Sequence, residues 1–147
     1  MNSSIHKDQW KRFADFLIHQ RTCIISTVAA QGMWAMPVWY RPDTELTGSP
    51  NLELECLVPL WTDVAHYLME NRRVVLIVQA PSGAGLRWLQ IQATARQVEA
   101  PDWNKLLPRW SSTTQPDVLY MVVRVIPSRI DLIDEELGWG VQETLEL

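Results

Sequence analysis

Basic residues are scarce in this sequence. Among its 147 residues there are only three lysines, and the formal net charge is -4. The arginines are scattered along the chain and are not gathered into one stretch. Binding to duplex nucleic acid requires a concentrated basic surface that displaces counterions from the phosphates. We therefore expect no nucleic-acid partner.

Cysteine and histidine are also few, and none has the spacing of a metal site. Cys23 and Cys56 each lie in an apolar run, with neither a CxxC motif nor a Cys/His metal-binding pattern around them. The three histidines stand alone, and no serine occurs in a GxSxG motif. We predict two reduced core thiols and no metal, and no catalytic residue is assigned.

Long apolar runs are missing as well. Segment 1–19 mixes charged residues such as Lys7, Asp8 and Lys11 into its apolar positions. This pattern differs from that of a signal peptide, and no run reaches the length of a bilayer span. We expect a cytoplasmic protein without a membrane segment.

The composition that remains is that of a soluble globular protein. Hydrophobic residues make up 47% of the chain and charged residues 20%. This balance and this length are typical of one domain with one core. We predict a single domain over residues 1–147.

The N-terminal segment has a helical pattern. Ser3 or Ser4 can cap a helix whose apolar residues recur at spacings of three and four. Those residues are Trp10, Phe13, Phe16 and Leu17. Two shorter helices are predicted, one capped by Thr62 or Asp63 and ending at Asn71, and one around residues 102–107.

The rest of the chain has the patterns of strands. The predicted strands are 23–30, 34–40, 52–58, 74–79, 87–98, 118–126 and 129–134. The fifth alternates most clearly, with Leu89, Ile91, Ala93 and Ala95 on its buried face. A loop is predicted over 41–51, and Pro127 and Ser128 are predicted to separate the last two strands. Because strands do not alternate with long helices, we predict a mainly β (α+β) fold, an antiparallel barrel with short helices.

Tryptophan is unusually abundant, with eight residues in this short chain. Trp34, Trp39 and Trp88 fall in strands where neighbouring positions already supply a buried face. Aromatic side chains beyond what a small core can hold indicate a subunit interface or a wall against a planar ligand, although ordinary core packing explains each equally well.

Four segments together resemble the pyridoxamine 5'-phosphate oxidase-like flavin-binding split barrels. They are IISTVAAQGMWAMPVWYRPD, LECLVPLWTDVAHYLMENRRVVLIV, RWLQIQATARQVE and YMVVRVIPSRIDLID. No single motif decides the resemblance, which depends on their order and spacing from about Cys23 to Asp134. It implies an antiparallel split β-barrel that forms a homodimer and binds flavin mononucleotide (FMN) at the subunit interface.

The resemblance also implies a set of cofactor-binding residues. The isoalloxazine ring would lie along Pro37, Val38, Trp39 and Tyr40 and beside Trp88. The phosphate would lie near Thr62, at the start of the short helix. Its charge partners would come from Arg41, Arg72, Arg73 and Arg87.

One departure from the family pattern leaves two functions open. Where the family often has Ser-Arg-Lys at the helix start, this chain has Thr62-Asp63-Val64. The first hypothesis is an FMN-dependent oxidoreductase, in which the cofactor carries the redox chemistry. The second is a non-catalytic dimeric binding protein that holds haem, another flavin or no ligand. Fold alone does not choose between them.

Overall fold

The computed structural model describes residues 3–43, 52–81, 85–107 and 115–147. The elements in chain order are α1 (Ser3–His19), β1 (Thr22–Ala29), β2 (Gly32–Pro42), β3 (Leu54–Pro59), α2 (Asp63–Leu68), β4 (Arg73–Ala80), β5 (Arg87–Gln97), α3 (Trp103–Leu106), α4 (Pro116–Leu119), β6 (Tyr120–Asp134), a 3-10 helix (Glu135–Leu137) and β7 (Gln142–Glu146). No helix in the described ranges is both long enough and apolar enough to cross a membrane.

The strands form a closed antiparallel barrel. They follow the order β3-β2-β1-β4-β5-β6, and β3 also pairs with β6, which closes the ring. The first part of β6 pairs with β3, from Tyr120 opposite Pro59 to Val125 opposite Leu54. Its last part pairs with β7, which lies beside the ring. The predicted mainly β, antiparallel barrel is confirmed.

The barrel interior is filled by alternate residues of each strand. In β5 the predicted buried face is confirmed, since Leu89, Ile91, Ala93 and Ala95 are buried and their neighbours are not. Cys23 and Cys56 also lie in this core as free thiols. Because side chains alternate across a strand, the residues between these positions point out of the barrel.

Helices cover the two ends of the barrel. The apolar face of α1 places Phe13, Phe16 and Leu17 in the core, and the Tyr40 hydroxyl donates a hydrogen bond to the Leu17 carbonyl at 2.6 Å. The helix begins at Ser3, so Ser4 lies within it. At the other end of β2, Trp34 stacks on Tyr67 of α2, with ring centroids 4.0 Å apart.

Two sequence expectations about strands are wrong. Pro127 and Ser128 do not separate two strands, because β6 runs continuously from Tyr120 to Asp134. The pairing with β5 shifts between Gln92 and Ala93, which leaves Ser128 as the extra residue of a bulge. Such a bulge tolerates a proline that lacks the N–H donor. In addition, Val118 and Leu119 belong to α4.

The predicted loop over 41–51 is partly wrong. Arg41 and Pro42 still belong to β2, where they pair with Glu55 and Leu54 of β3. Residues 44–51 of the predicted loop lie outside the described ranges. The strand therefore extends further than the turn-forming residues Pro42 and Asp43 suggest.

Candidate functional site

One outer face of the barrel carries both of the cavities described below. It is formed by the outward residues of β2, β1, β4 and β5. Two rows cross these strands in register: Pro37, Ile24, Ile77 and Gln90 form one, and Ala35, Ser26, Val75 and Gln92 the other. We refer to these two rows, together with Met33, Val28 and Arg73, as the outer face.

Apolar side chains on the outer face are not covered by the rest of the described chain. Met33 is 78% exposed, Val28 47% and Ile24 44%. On the opposite side of the barrel, by contrast, α3 covers outward residues of β2, β3 and β6. There Leu57 and Val122 are buried against Leu106, with Trp39 packed beside them. An uncovered apolar patch on one face is typical of an interaction surface.

The first cavity, which we call the arginine cavity, has a volume of about 620 Å³. It lies on β1, β4 and β5. Its lining includes Ser26, Val28, Met33, Arg73, Val75 and Thr94. Its volume is within the usual range of small-molecule sites, roughly 300–1,000 Å³.

Arg73 brings a positive charge to this cavity. Its side chain makes no hydrogen bond or ion pair with any residue in the described ranges. The backbone beneath it is fixed, because the Arg73 N–H donates to the Asn71 side-chain oxygen at 3.0 Å. The Asn71 amide in turn donates to the Val28 carbonyl at 2.8 Å. Arg73 is exposed, and a cation without a counter-charge at the edge of a cavity favours an anionic ligand.

Thr27 also borders the cavity, but its side chain belongs to the inward row of β1, with Cys23 and Ile25. Its hydroxyl is buried and has no hydrogen-bond partner among the described residues. Leaving a buried hydroxyl unpaired costs about 1–3 kcal/mol. This unpaired hydroxyl faces the barrel interior and is not offered to a ligand on the outer face.

The second cavity, which we call the neutral cavity, has a volume of about 420 Å³. It lies further along β1, β2 and β4. Gln20, Thr22 and Gln79 supply its polar lining, and Ile24, Pro37 and Ile77 supply apolar surface.

The structure separates the four predicted ring-binding residues of β2. The side chains of Val38 and Tyr40 are buried in the barrel core, so only their backbone is available to a ligand on the outer face. Pro37 points outward into the neutral cavity. Trp39 also points outward, but it packs in the cluster that α3 covers.

The predicted phosphate partners are also dispersed. Arg41 donates to the Lys105 carbonyl of α3. Arg87 pairs with Asp134 at 3.1 Å and lies over the Phe16 ring at 4.9 Å. Arg72 and Arg73 are both exposed, and of these four arginines only Arg73 lines a cavity described here. Trp88 is half-buried on the outward side of β5, opposite Gln79.

Thr62 is the N-cap of α2, as the sequence predicted. Its hydroxyl accepts from the Ala65 N–H at 3.2 Å and donates to the Pro59 carbonyl at 2.8 Å. Asp63 is exposed, whereas Val64 is buried in the core. The expected phosphate position therefore has a hydroxyl already engaged in a cap, an exposed carboxylate and no cation in the Thr62-Asp63-Val64 run.

Several candidate residues were missed by sequence reasoning. Ser26, Asn71, Thr94 and Ser128 line the arginine cavity with Arg73. The alternation of side chains along β1 and β5 could have identified Ser26 and Thr94 as outward residues. Asn71 and Ser128 required the three-dimensional arrangement, since they meet the cavity from a loop and a bulge.

Titratable groups near the core do not form a metal site. In the portion of the chain that the structure describes, no group of three or more histidine, cysteine or acidic side chains could hold a metal ion. A hydrogen bond with the Cys23 thiol and burial raise the pKa of Cys56 well above its ordinary value. The Cys56 thiol is therefore a protonated core residue at neutral pH.

Comparison with known proteins identifies the fold. No protein-family model matches the sequence, and no curated protein is significantly similar to it. A Clostridium acetobutylicum protein related to general stress protein 26, of the pyridoxinephosphate oxidase family, is 9% identical, with 96% of each chain covered and a TM-score of 0.68. The chain has the split-barrel fold of this protein and of other solved structures that are similar to it.

Two further split barrels are named for their ligands. An FAD-binding protein from Mesorhizobium loti is 12% identical over 82% of this chain and 90% of its own, with a TM-score of 0.59. A haem-binding protein from Mycobacterium smegmatis is 14% identical over 93% of this chain and 57% of its own, with a TM-score of 0.65. At these identities the likeness concerns the fold.

Proposed function

We propose that this split barrel is a homodimer that binds a flavin, FMN in the first instance, at a subunit interface on the outer face. The observation that carries the proposal is Arg73, a cation without a counter-charge among the described residues, at the edge of a cavity on an uncovered apolar surface. The fold shared with flavin-related split barrels supports the same ligand class.

The cavity residues fit the chemistry of FMN. Its phosphate carries a charge of about -2 and cannot be buried without donors. Arg73 supplies the charged donor, and the Thr94 hydroxyl borders the same cavity. Val28, Met33 and Val75 supply apolar surface for a planar ring. This arrangement moves the proposed phosphate from Thr62 to Arg73.

A bound flavin would supply electron or hydride transfer, which is the basis for proposing an oxidoreductase. The residues of this chain would bind the cofactor and orient it. A second subunit over the outer face would exclude water from the ring. Such a site needs no acid or base from the protein, so the lack of an assigned catalytic residue is consistent with it.

The alternative is a non-catalytic dimeric binding protein. Asp63 favours it, because an exposed carboxylate stands where the resemblance implies a cation. A split barrel named for haem binding extends the ligands to be tested beyond flavins. The visible spectrum of the purified protein distinguishes the two: flavin bands support the first function, and a Soret band or a colourless preparation supports the second.

Substitution of neighbouring arginines tests the phosphate position. Arg73→Gln should weaken FMN binding about tenfold, because one charge-assisted contact is worth about 1.5–3 kcal/mol before solvent screening. Arg72→Gln is the matched control, since both arginines are exposed and only Arg73 lines the arginine cavity. Quenching of flavin fluorescence gives both dissociation constants.

Asp63→Arg adds a test of the other position. If the phosphate lies at α2, this variant should tighten FMN binding while Arg73→Gln has no effect. Val64 is left unchanged, because a lysine there would bury its charge in the core. Tighter FMN binding by Asp63→Arg, together with unchanged binding by Arg73→Gln, would refute the Arg73 assignment and restore Thr62 as the phosphate position.

A further inference from the structure

The neutral cavity is a second concave site on the outer face. Ile24 of β1 and Ile77 of β4 pair directly across its floor. Two residues further along each strand, Ser26 and Val75 pair in the arginine cavity. The two cavities are thus neighbours on one strand pair, separated by a single step of outward residues.

The neutral cavity differs from its neighbour in charge. Among the described residues, none that lines it carries a formal charge at neutral pH. Arg21 stands between Gln20 and Thr22 in sequence, but it is not part of the lining. Arg87, next to this region on β5, is engaged with Asp134. A charged ligand would therefore lose hydration here without gaining a counter-charge.

The polar groups of the lining suit an uncharged ligand. The amides of Gln20 and Gln79 can both donate and accept hydrogen bonds, and the Thr22 hydroxyl does the same. Ile24, Pro37 and Ile77 offer apolar surface between them. This mixture is typical of sites where a few polar groups orient a mainly apolar molecule.

We infer that the neutral cavity binds an uncharged organic molecule that carries amide, carbonyl or hydroxyl groups. Its position beside the arginine cavity makes this molecule the substrate class of the proposed flavoprotein. That last step rests on the proposed function, whereas binding to the cavity does not.

Benzamide and benzoate form a matched pair of probes, because they share a ring and differ in charge. In NMR titrations of the full chain, benzamide should shift the amide signals of Thr22, Ile77 and Gln79. Benzoate should bind at least about tenfold more weakly than benzamide, since its carboxylate would be desolvated without a partner. Benzoate binding as tight as benzamide, or no shift at millimolar benzamide, would overturn the inference.

Two glutamine variants localise the probe. Gln79→Leu should weaken benzamide binding about fivefold, the value of one neutral hydrogen bond. Gln92→Leu makes the same change in the arginine cavity and should leave benzamide binding unaltered. If Gln92→Leu weakened benzamide binding and Gln79→Leu did not, benzamide would lie in the arginine cavity, which would contradict the assignment. FMN binding is measured separately, so its loss with benzamide binding retained would refute only the proposed function.

Discussion

Cys56 has no exposed surface and lies in the barrel core. The hydrogen bond with the Cys23 thiol and burial raise its pKa in the folded protein well above the ordinary value. In the unfolded chain a thiol titrates near about 8.5. The unfolded state therefore releases its proton first, so the stabilisation is fully present below about pH 8.5 and is lost as pH rises towards the folded pKa.

Urea unfolding under reducing conditions tests this linkage. Between about pH 8 and about pH 10, wild type should lose about 1–2 kcal/mol more unfolding free energy than Cys56→Ala, at a limiting slope of about 1.4 kcal/mol per pH unit. The substitution itself lowers stability at every pH, so the difference in slope is the quantity compared. Equal pH dependence of the two proteins would show that the Cys56 thiol does not contribute.

Individual site residues were predicted unevenly for a physical reason. The alternation that placed Leu89 and Ile91 inside the barrel also separates Val38 from Pro37, and it could have been applied there. The resemblance treated Pro37 to Tyr40 as one binding run, which ignores that alternation. Arg73 could not be distinguished from Arg72 in sequence, because the difference depends on which side chain meets the cavity.

At the level of elements, β7 was not predicted. Its sequence, Gln142–Glu146, contains Leu145 as its single large apolar residue, which is too little for a strand pattern. Leu145 is nevertheless buried, because β7 pairs with β6 with Leu145 opposite Ile130. A strand held mainly by pairing and polar contacts is visible only when its partner is known.

Asp131 of β6 is one of the polar contacts that fasten β7, beside the Arg12–Glu143 ion pair with α1. It is buried and accepts hydrogen bonds from Gln142 at 3.0 Å and from Thr144 at 2.5 Å. Burial by itself would raise the pKa of Asp131, but hydrogen bonds from Thr144, Arg129 and Gln142 offset it and lower the pKa. Its contribution to stability is thus present above about pH 4 and lost as pH falls through the folded pKa.

Asp131→Asn should destabilise the protein by about 1–3 kcal/mol at neutral pH, because the amide carries no charge and an N–H donor replaces one of the two oxygens that accept hydrogen bonds. The loss should shrink in acid, where the wild-type carboxylate is itself protonated. Urea unfolding measures the cost, and hydrogen exchange should show faster exchange of the β7 amides. Asp117→Asn, on the exposed surface of α4, is the control and should change neither quantity. A variant as stable as wild type would rule out Asp131 as one of the contacts that fasten β7.

For the whole molecule, the closed antiparallel barrel followed from strand patterns, but the uncovered outer face did not. Every strand has outward residues, and sequence does not state which of them another element covers. The structure shows α3 over one side of the barrel and leaves Ile24, Val28 and Met33 exposed on the other. The proposed dimer therefore has a specific surface, which the excess of tryptophan alone could not locate.

Ala35 provides a test of that surface without touching either cavity. It is exposed in the middle of the outward row of β2, and it lines neither cavity. Ala35→Glu would place a carboxylate inside the proposed interface, at a cost of several kcal/mol if it is buried unpaired. Light scattering at micromolar concentration should give twice the 17.0 kDa chain mass for wild type and the chain mass for the variant.

FMN binding should weaken when dimerisation is lost, because the proposed site needs the second subunit to exclude water. We expect at least a tenfold loss of FMN affinity in Ala35→Glu, although Ala35 lies outside the arginine cavity. Leu137→Glu is the control, since Leu137 is 68% exposed on the 3-10 helix that follows β6. It should remain dimeric and bind FMN as wild type does.

A wild-type protein with the mass of one chain would refute the dimer. A monomeric Ala35→Glu that kept full FMN affinity would show that one subunit makes the whole site.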